Sequence, residues 1–407
     1  MLIFTMAMAW ADADHIEVST AEHLTEIECG WLIGQPTYEG RFVEGDLPDD
    51  LYEMGGPWAV FHLDKRTLYT DAFGHFSLVY GHGRVATNPD LIPASDNATL
   101  VGLMDIPVPD NWYPFGLTPK NGVSRLLPNH YLDLNSWSQH RLWPKENPRG
   151  TITIDEAATI IGLVVRHNIN AVSSKHPLQL PLTAGYDSRM LLACARDHVA
   201  QLQCHTHNAH PATGRLDVVT APRLCKQQSI PHQTLKNVEA PQARKDEWLK
   251  RAGRSAAGAS YNIAGSSFPY NGRTRLTGHG GEALRGYYYR SESRSYSLEP
   301  QDLLYVEQRL GCWAGVLRWG VAKPDMIFWP MAHRRVLEVM LRLPAEAKVR
   351  SAVHQRVIER EWPDLLTIPV NKWWEWQKVP GKGLRAASRA IYRVTQAYRN
   401  IRGARKA

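Results

Sequence analysis

Leu180-Pro181-Leu182-Thr183-Ala184-Gly185-Tyr186-Asp187-Ser188-Arg189 runs from an apolar segment into a turn of small residues, and an Asp-Ser pair opens the next element. Leu178 to Leu182 reads as a buried-type strand and Ser188 to Arg196 as a helix. Small residues let a backbone approach an anion closely. The N–H groups and dipole at the helix start favour negative charge there. The hydroxyls of Thr183 and Ser188 add donors for phosphate oxygens. Asp187 repels phosphate, so in a nucleotide site its natural task is to hold Mg2+ against it. The bland reading is a tight strand–helix turn capped by Asp187 or Ser188.

Outward from this turn the same rhythm continues. Thr153 and Glu156 form a T-x-x-E capping box, and Ile154, Ala157, Ala158, Ile161, Val164 and Val165 recur at helical spacing to about Ala171. Leu202 to Thr206 is a predicted strand and Asp217 to Gln228 a predicted helix. Strand–helix–strand–helix argues a parallel sheet with helices on its faces. Gln301 through Ile358 reads as largely helical. The first ~145 residues are different, with short strands at Pro57–His62, Thr67–Thr70, His75–Tyr80 and His130–Leu134 separated by turns. Pro144 to Gly150 reads as a linker.

The chain has 407 residues, enough for two domains or three. No apolar run approaches the ~20 residues needed to cross a bilayer, so no integral membrane span is expected. Met1 to Trp10 reads as a first strand rather than a signal peptide. Five cysteines without a CxxC pair fit a reducing compartment, and a cytoplasmic location is expected. The net charge of +7 is uneven: nine Lys/Arg and no acid lie between Lys378 and Ala407, leaving the other 377 residues at −2.

The turn resembles the S-G-G-x-D-S pattern of the PP-loop ATP pyrophosphatases, with Thr183 and Ala184 for the leading Ser and first Gly, and Gly185, Asp187 and Ser188 matching. Arg189 stands where a small residue is more usual. Leu276-Thr-Gly278-His279-Gly280-Gly281-Glu282-Ala283-Leu-Arg-Gly286-Tyr287 resembles the G-D/E-G-x-D-E-L-x-G-G-Y segment of the asparagine synthetase family. There Glu282 takes the metal-binding Asp position, while His279 and Ala283 replace acidic residues. Phe328 through Pro369 resembles that family's helical completion of the synthetase domain. Asn371-Lys372 comes next, where the family often supplies a Lys to pyrophosphate and the reacting carboxylate.

The resemblance implies an α/β and α+β protein: a degenerate glutamine amidotransferase-like domain over 1–147, a β-rich αββα sandwich; a Rossmann-like parallel-sheet PP-loop domain over 148–380 with a helical C-terminal part; and a basic amphipathic tail over 381–407. It implies ATP on Thr183, Ala184, Gly185, Asp187, Ser188, Gly278, Gly280 and Gly281, Mg2+ on Asp187 and Glu282, and catalytic roles for Lys372 and Glu282. The implied activity is an ATP-dependent amide-forming ligase that activates a carboxylate as acyl-adenylate. The amino-terminal fold needs a Cys right after the initiator Met; position 2 is Leu and the first Cys is Cys29, so no glutaminase activity is expected. Nitrogen would then come from ammonia, an amino substrate or the same molecule, as in β-lactam synthetases and lasso-peptide cyclases.

Expected partners are a small-molecule or peptide carboxylate and an amine or ammonia donor, with a homodimer as a candidate assembly. His205 and His207 fall on one strand face, either as a zinc pair or as a polar strand end lining the nucleotide pocket. Tyr287–Arg290 and Trp373–Trp376 are aromatic clusters for packing or for a substrate wall. The tail reads as a basic helix that docks on the body or contacts an anionic surface. Two other classes stay open, a PP-loop tRNA-modifying enzyme and a non-catalytic binding or scaffold relative.

Overall fold

The computed structural model describes residues 8–11, 16–19, 23–146, 150–208, 214–236, 238–263, 272–285 and 302–370. Leu178, Leu180 and Leu182 are fully buried, as a strand covered on both faces must be. Leu178–Pro181 is the middle strand of a five-stranded parallel sheet. On one side lie Leu202–Asn208 and then His232–Lys236; on the other lie Thr274–Leu276 and then Ile327–Phe328. The chain therefore builds the sheet in one direction and then crosses to the other side of Leu178–Pro181. From the carboxyl ends of the neighbours Leu178–Pro181 and Thr274–Leu276 the chain goes on to strands on opposite sides of the sheet. Such a switch point is where open parallel sheets leave a crevice for ligands.

The helices agree with the sequence pattern. Ile154–Lys175 starts with the expected capping box, Thr153 Oγ1 accepting from the Glu156 N–H and Glu156 accepting from the Thr153 N–H. Tyr186–Cys194 and Gly214–Gln227 return along the sheet. Beyond residue 302 come the π-helix Tyr305–Ala314, continued by Gly315–Gly320, then Arg334–Arg342, Ala345–Val349 and Ala352–Glu361. The expected helical run is interrupted by Ile327–Phe328, an apolar pair that supplies the sheet's edge.

The amino-terminal part carries two antiparallel sheets. Six strands order as Ser138–Arg141, His130–Asp133, Thr67–Thr70, Trp58–His62, Gly30–Gly34 and Leu24–Ile27; five order as Ser124–Arg125, Val79–Gly81, Arg84–Ala86, Met8–Ala11 and Ile16–Ser19. The expected αββα sandwich is met only in its β layers. Among the described residues before 147, the seven-residue Ala98–Met104 is the one α-helix. Cover comes from later helices. Trp319 packs edge-on against Phe76 with centroids 5.2 Å apart, and its indole N–H donates to the Ser77 carbonyl at 2.8 Å. Gly315 fits because a Cβ there would lie 2.1 Å from the Gly74 carbonyl oxygen. The Ile154–Lys175 helix is tied to the Thr37–Tyr38 strand by the Thr37 hydroxyl donating to Asn168 Oδ1 at 2.6 Å. One apolar cluster accordingly runs from Trp58 and Phe73 through Ile161 and Leu180 to Val357.

The predicted strand His75–Tyr80 shrinks to Val79–Gly81. The buried Asp71 carboxylate gathers the N–H groups of Phe73, His75 and Phe76 at 3.0, 2.9 and 2.6 Å, which bends that stretch into a turn.

Candidate functional site

The Thr183–Gly185 turn leaves the central strand and feeds the Tyr186–Cys194 helix, whose start has no side-chain cap. Its own groups hold it in shape. Ser188 Oγ accepts from the Thr183 N–H at 3.0 Å and lies 2.9 Å from Thr183 Oγ1; the Gly185 N–H donates to Thr183 Oγ1 at 3.2 Å. Those two hydroxyls share one hydrogen, leaving the other outside the pair. The Ala184 N–H donates to Asp217 Oδ1 at 2.8 Å, across from the Gly214–Gln227 helix. Asp217 thus already fills one donor of the expected phosphate cradle.

Arg189 explains its own departure from a small residue. Fully buried, it donates to the carbonyls of Leu365 (2.9 Å), Ile368, Pro369 (3.2 Å) and Ala184 (3.4 Å). It clamps the segment before Val370 onto the turn. Burial lowers the guanidinium only to about 10, so it stays charged at neutral pH.

The second expected motif arrives from the neighbouring strand, Thr274–Leu276. Gly278 and Gly281 pack directly on Asp187: a Cβ on Gly281 would lie 2.8 Å from Asp187 Oδ1, and one on Gly278 would lie 3.3 Å from Asp187 Cβ. Gly280 adopts φ +93°, and a Cβ there would strike Phe73 at 2.4 Å, so glycine is required twice over. A short 3-10 turn, Gly281–Leu284, then presents Glu282 beside Asp187. Segments nearly a hundred residues apart thus form one surface at the switch point.

Sequence reasoning missed three side chains here. Arg285 forks onto Asp187, Nε donating to Oδ1 at 3.2 Å and Nη2 lying 3.0 Å from Oδ2, with the same Nη2 3.6 Å from Glu282 Oε1. His354, fully buried, places Nε2 3.0 Å from Asp187 Oδ1. The Tyr305 hydroxyl donates to Glu282 Oε2 at 2.7 Å. Burial pushes the Asp187 carboxyl up, but His354 and Arg285 outweigh it and hold the group below its ordinary range. Burial and the Asp187 charge push Glu282 up, against the pull of Tyr305 and Arg285. Only Arg285 had a sequence signal, its spacing of three from Glu282. His354 and Tyr305 had none.

His279, standing where the pattern has an acidic residue, takes no part in this network. It stacks on Trp329 at 4.9 Å, and Trp329 stacks on His75 at 4.1 Å. Burial brings His279 down to about 4, so its ring is neutral. Ala283 is buried in the apolar core. His205 and His207 share a strand face with ring centroids 5.4 Å apart. Burial and then Arg275 push them down to about 3 and 4. Among the described residues no group of three or more His, Cys, Asp or Glu is arranged to hold a metal ion. All five cysteines are unpaired, and no helix among the described residues is long and apolar enough to cross a membrane. Lys372, the Tyr287–Arg290 and Trp373–Trp376 clusters and the basic tail lie outside the described residues.

No known protein family matches the chain, and no curated protein matches it. Among solved structures, it is similar to a glutamine-dependent NAD+ synthetase from Acinetobacter baumannii in complex with adenosine diphosphate (ADP), at 15% identity and a TM-score of 0.19. The match covers 32% of this chain and 23% of that one, less than a quarter of the synthetase's length. A likeness of that size establishes neither a family nor an activity.

Proposed function

We propose that this chain is an ATP-dependent carbon–nitrogen ligase resembling the asparagine synthetases. The observation that carries the reading is the packing of Gly278 and Gly281 on Asp187. It joins both motifs of the resemblance into one surface, at the sheet position where nucleotides favour binding. The start of the Tyr186–Cys194 helix, which has no side-chain cap, and the Thr183 and Ser188 hydroxyls would supply donors to the polyphosphate.

In the proposed reaction a substrate carboxylate oxygen attacks the α-phosphorus of ATP. The bond from that phosphorus to the bridging oxygen breaks and pyrophosphate leaves. An amine then attacks the acyl carbon, loses a proton to solvent and expels AMP. The nitrogen is supplied as ammonia or an amino substrate. Lys372 would assist the departing pyrophosphate from the segment beyond the Arg189 clamp.

A resident Mg2+ on Asp187 and Glu282 does not fit this donor set. The Arg285 guanidinium already lies between the two acids, 3.0 Å from Asp187 Oδ2 and 3.6 Å from Glu282 Oε1, and its charge would repel a dication there. Mg2+ needs near-octahedral oxygen ligands at close range. No step is assigned to a protein-held metal; any Mg2+ that accompanies ATP enters as part of the substrate.

The test is ATP–pyrophosphate exchange across a panel of carboxylates. The reading expects exchange with at least one of them, lost in Asp187→Ala. A protein that fails to bind ATP at all would sink it.

A further inference from the structure

We propose that Arg285 is the resident cation of this site, occupying the place between Asp187 and Glu282 that a divalent ion would otherwise take. The local geometry is built for it. Glu282 lies in the 3-10 turn Gly281–Leu284, and Arg285, three residues on, is the residue that caps it. Their charged ends therefore meet without any reach from elsewhere in the fold. Gly278 and Gly281 lack the Cβ atoms that would hold this turn off Asp187. The close approach lets the guanidinium fork onto both Asp187 oxygens while its Nη2 also faces Glu282.

A guanidinium fits such a position better than a lysine, because its planar fork matches a carboxylate and its charge is permanent. The second partners complete the arrangement. His354 backs Asp187 from the fully buried side, and Tyr305 takes the far oxygen of Glu282. Arg285 keeps 38% of its side chain exposed, so the charge remains available to a polyanion entering the crevice. The guanidinium offsets one of the two carboxylate charges without needing an ion, and the two carboxylates hold it in place.

This inference rests on the ligase reading only in treating these residues as the end of the site that meets the phosphates. No nucleotide enters its test, so absent ATP binding would sink that reading and leave this one standing. The probe is Mn2+ alone, its free fraction followed by electron paramagnetic resonance on the full chain. Wild type is expected to show no Mn2+ site that depends on Asp187. Arg285→Ala is expected to gain one, binding tighter than wild type by at least about tenfold, and Asp187→Asn in that background should remove it. Arg285→Lys, which keeps a charge, should stay without the ion. Wild-type Mn2+ binding that weakens in Asp187→Asn would overturn the proposal, as would a folded Arg285→Ala with no gain. Should the Arg285 variants fail to fold, the wild-type and Asp187→Asn titrations decide alone.

Discussion

Asp71 and Asp187 each follow a strand, Asp71 in the turn after Thr67–Thr70 and Asp187 in the first turn of the Tyr186–Cys194 helix. Burial penalises the charge of both, yet the outcomes are opposite. Asp71 is 1% exposed and its oxygens take three backbone N–H groups. Burial outweighs those donors and pushes its pKa up to about 6. Asp187 keeps 23% of its side chain exposed and is met by Arg285 and His354, which hold its carboxyl low. Backbone amides fix a loop around an acid that protonates easily. The Arg285 guanidinium and the His354 ring instead keep an acid ionised where two turns meet. The first arrangement stabilises the fold, and the second prepares a site.

The sharpest way to break this contrast is to delete both acids. Asp71→Ala strands three buried donors at roughly 1–3 kcal/mol each, so a loss of about 4 kcal/mol in urea unfolding is expected. Asp187→Ala should cost less stability, because Arg285, which forks onto both its oxygens, is part-exposed and can turn to water. It should lower ATP–pyrophosphate exchange by about 100-fold. Equal stability losses in the two variants would erase the distinction.

The pH dependence sharpens it. Asp71, raised in the folded protein from an ordinary value near 4, contributes stability that is fully present below that value and lost as pH rises through about 6. The swing is about 3 kcal/mol at 1.36 kcal/mol per pH unit. Asp187, depressed, contributes stability present above the unfolded value and lost as pH falls through its folded one. Urea midpoints between pH 4 and 7 should therefore show a falling slope that disappears in Asp71→Asn. A slope unchanged by that substitution would contradict the assignment.

The smallest expected effect is at Gly281. Its added methyl in Gly281→Ala would press on Asp187 Oδ1 from 2.8 Å, and exchange should fall by about tenfold with a stability loss near 1 kcal/mol. An unaltered exchange rate would show that the packing of the two turns does not matter to the chemistry.

Much of this frame is legible in the sequence itself. The apolar run Leu178–Leu182, the small-residue turn and the Thr153–Glu156 box are local signals, and local physics suffices to read them. Glu282 is paired with Asp187 through the family resemblance, where it takes the metal-binding position, and not by any local signal. Arg285 was visible only as a neighbour of Glu282, since its fork needs a partner 98 residues away. His354 lies within the Ala352–Glu361 helix, where its spacing says core and nothing more. The outer helices of the amino-terminal sheets were misplaced for a related reason. Strand alternation shows that a face must be covered, but not which later segment, here Gly315–Gly320, will cover it.

The central claim is that the turn from Thr183 to Ser188 receives the phosphates of ATP. Calorimetric titration of ATP into the wild-type chain and into Gly185→Asp tests it most directly, because the new carboxylate would sit in the turn itself. Wild type is expected to bind ATP at one site, and Gly185→Asp, still folded by circular dichroism, to bind at least about tenfold more weakly. A wild type that binds no ATP, or two proteins that bind it equally well, would contradict the account.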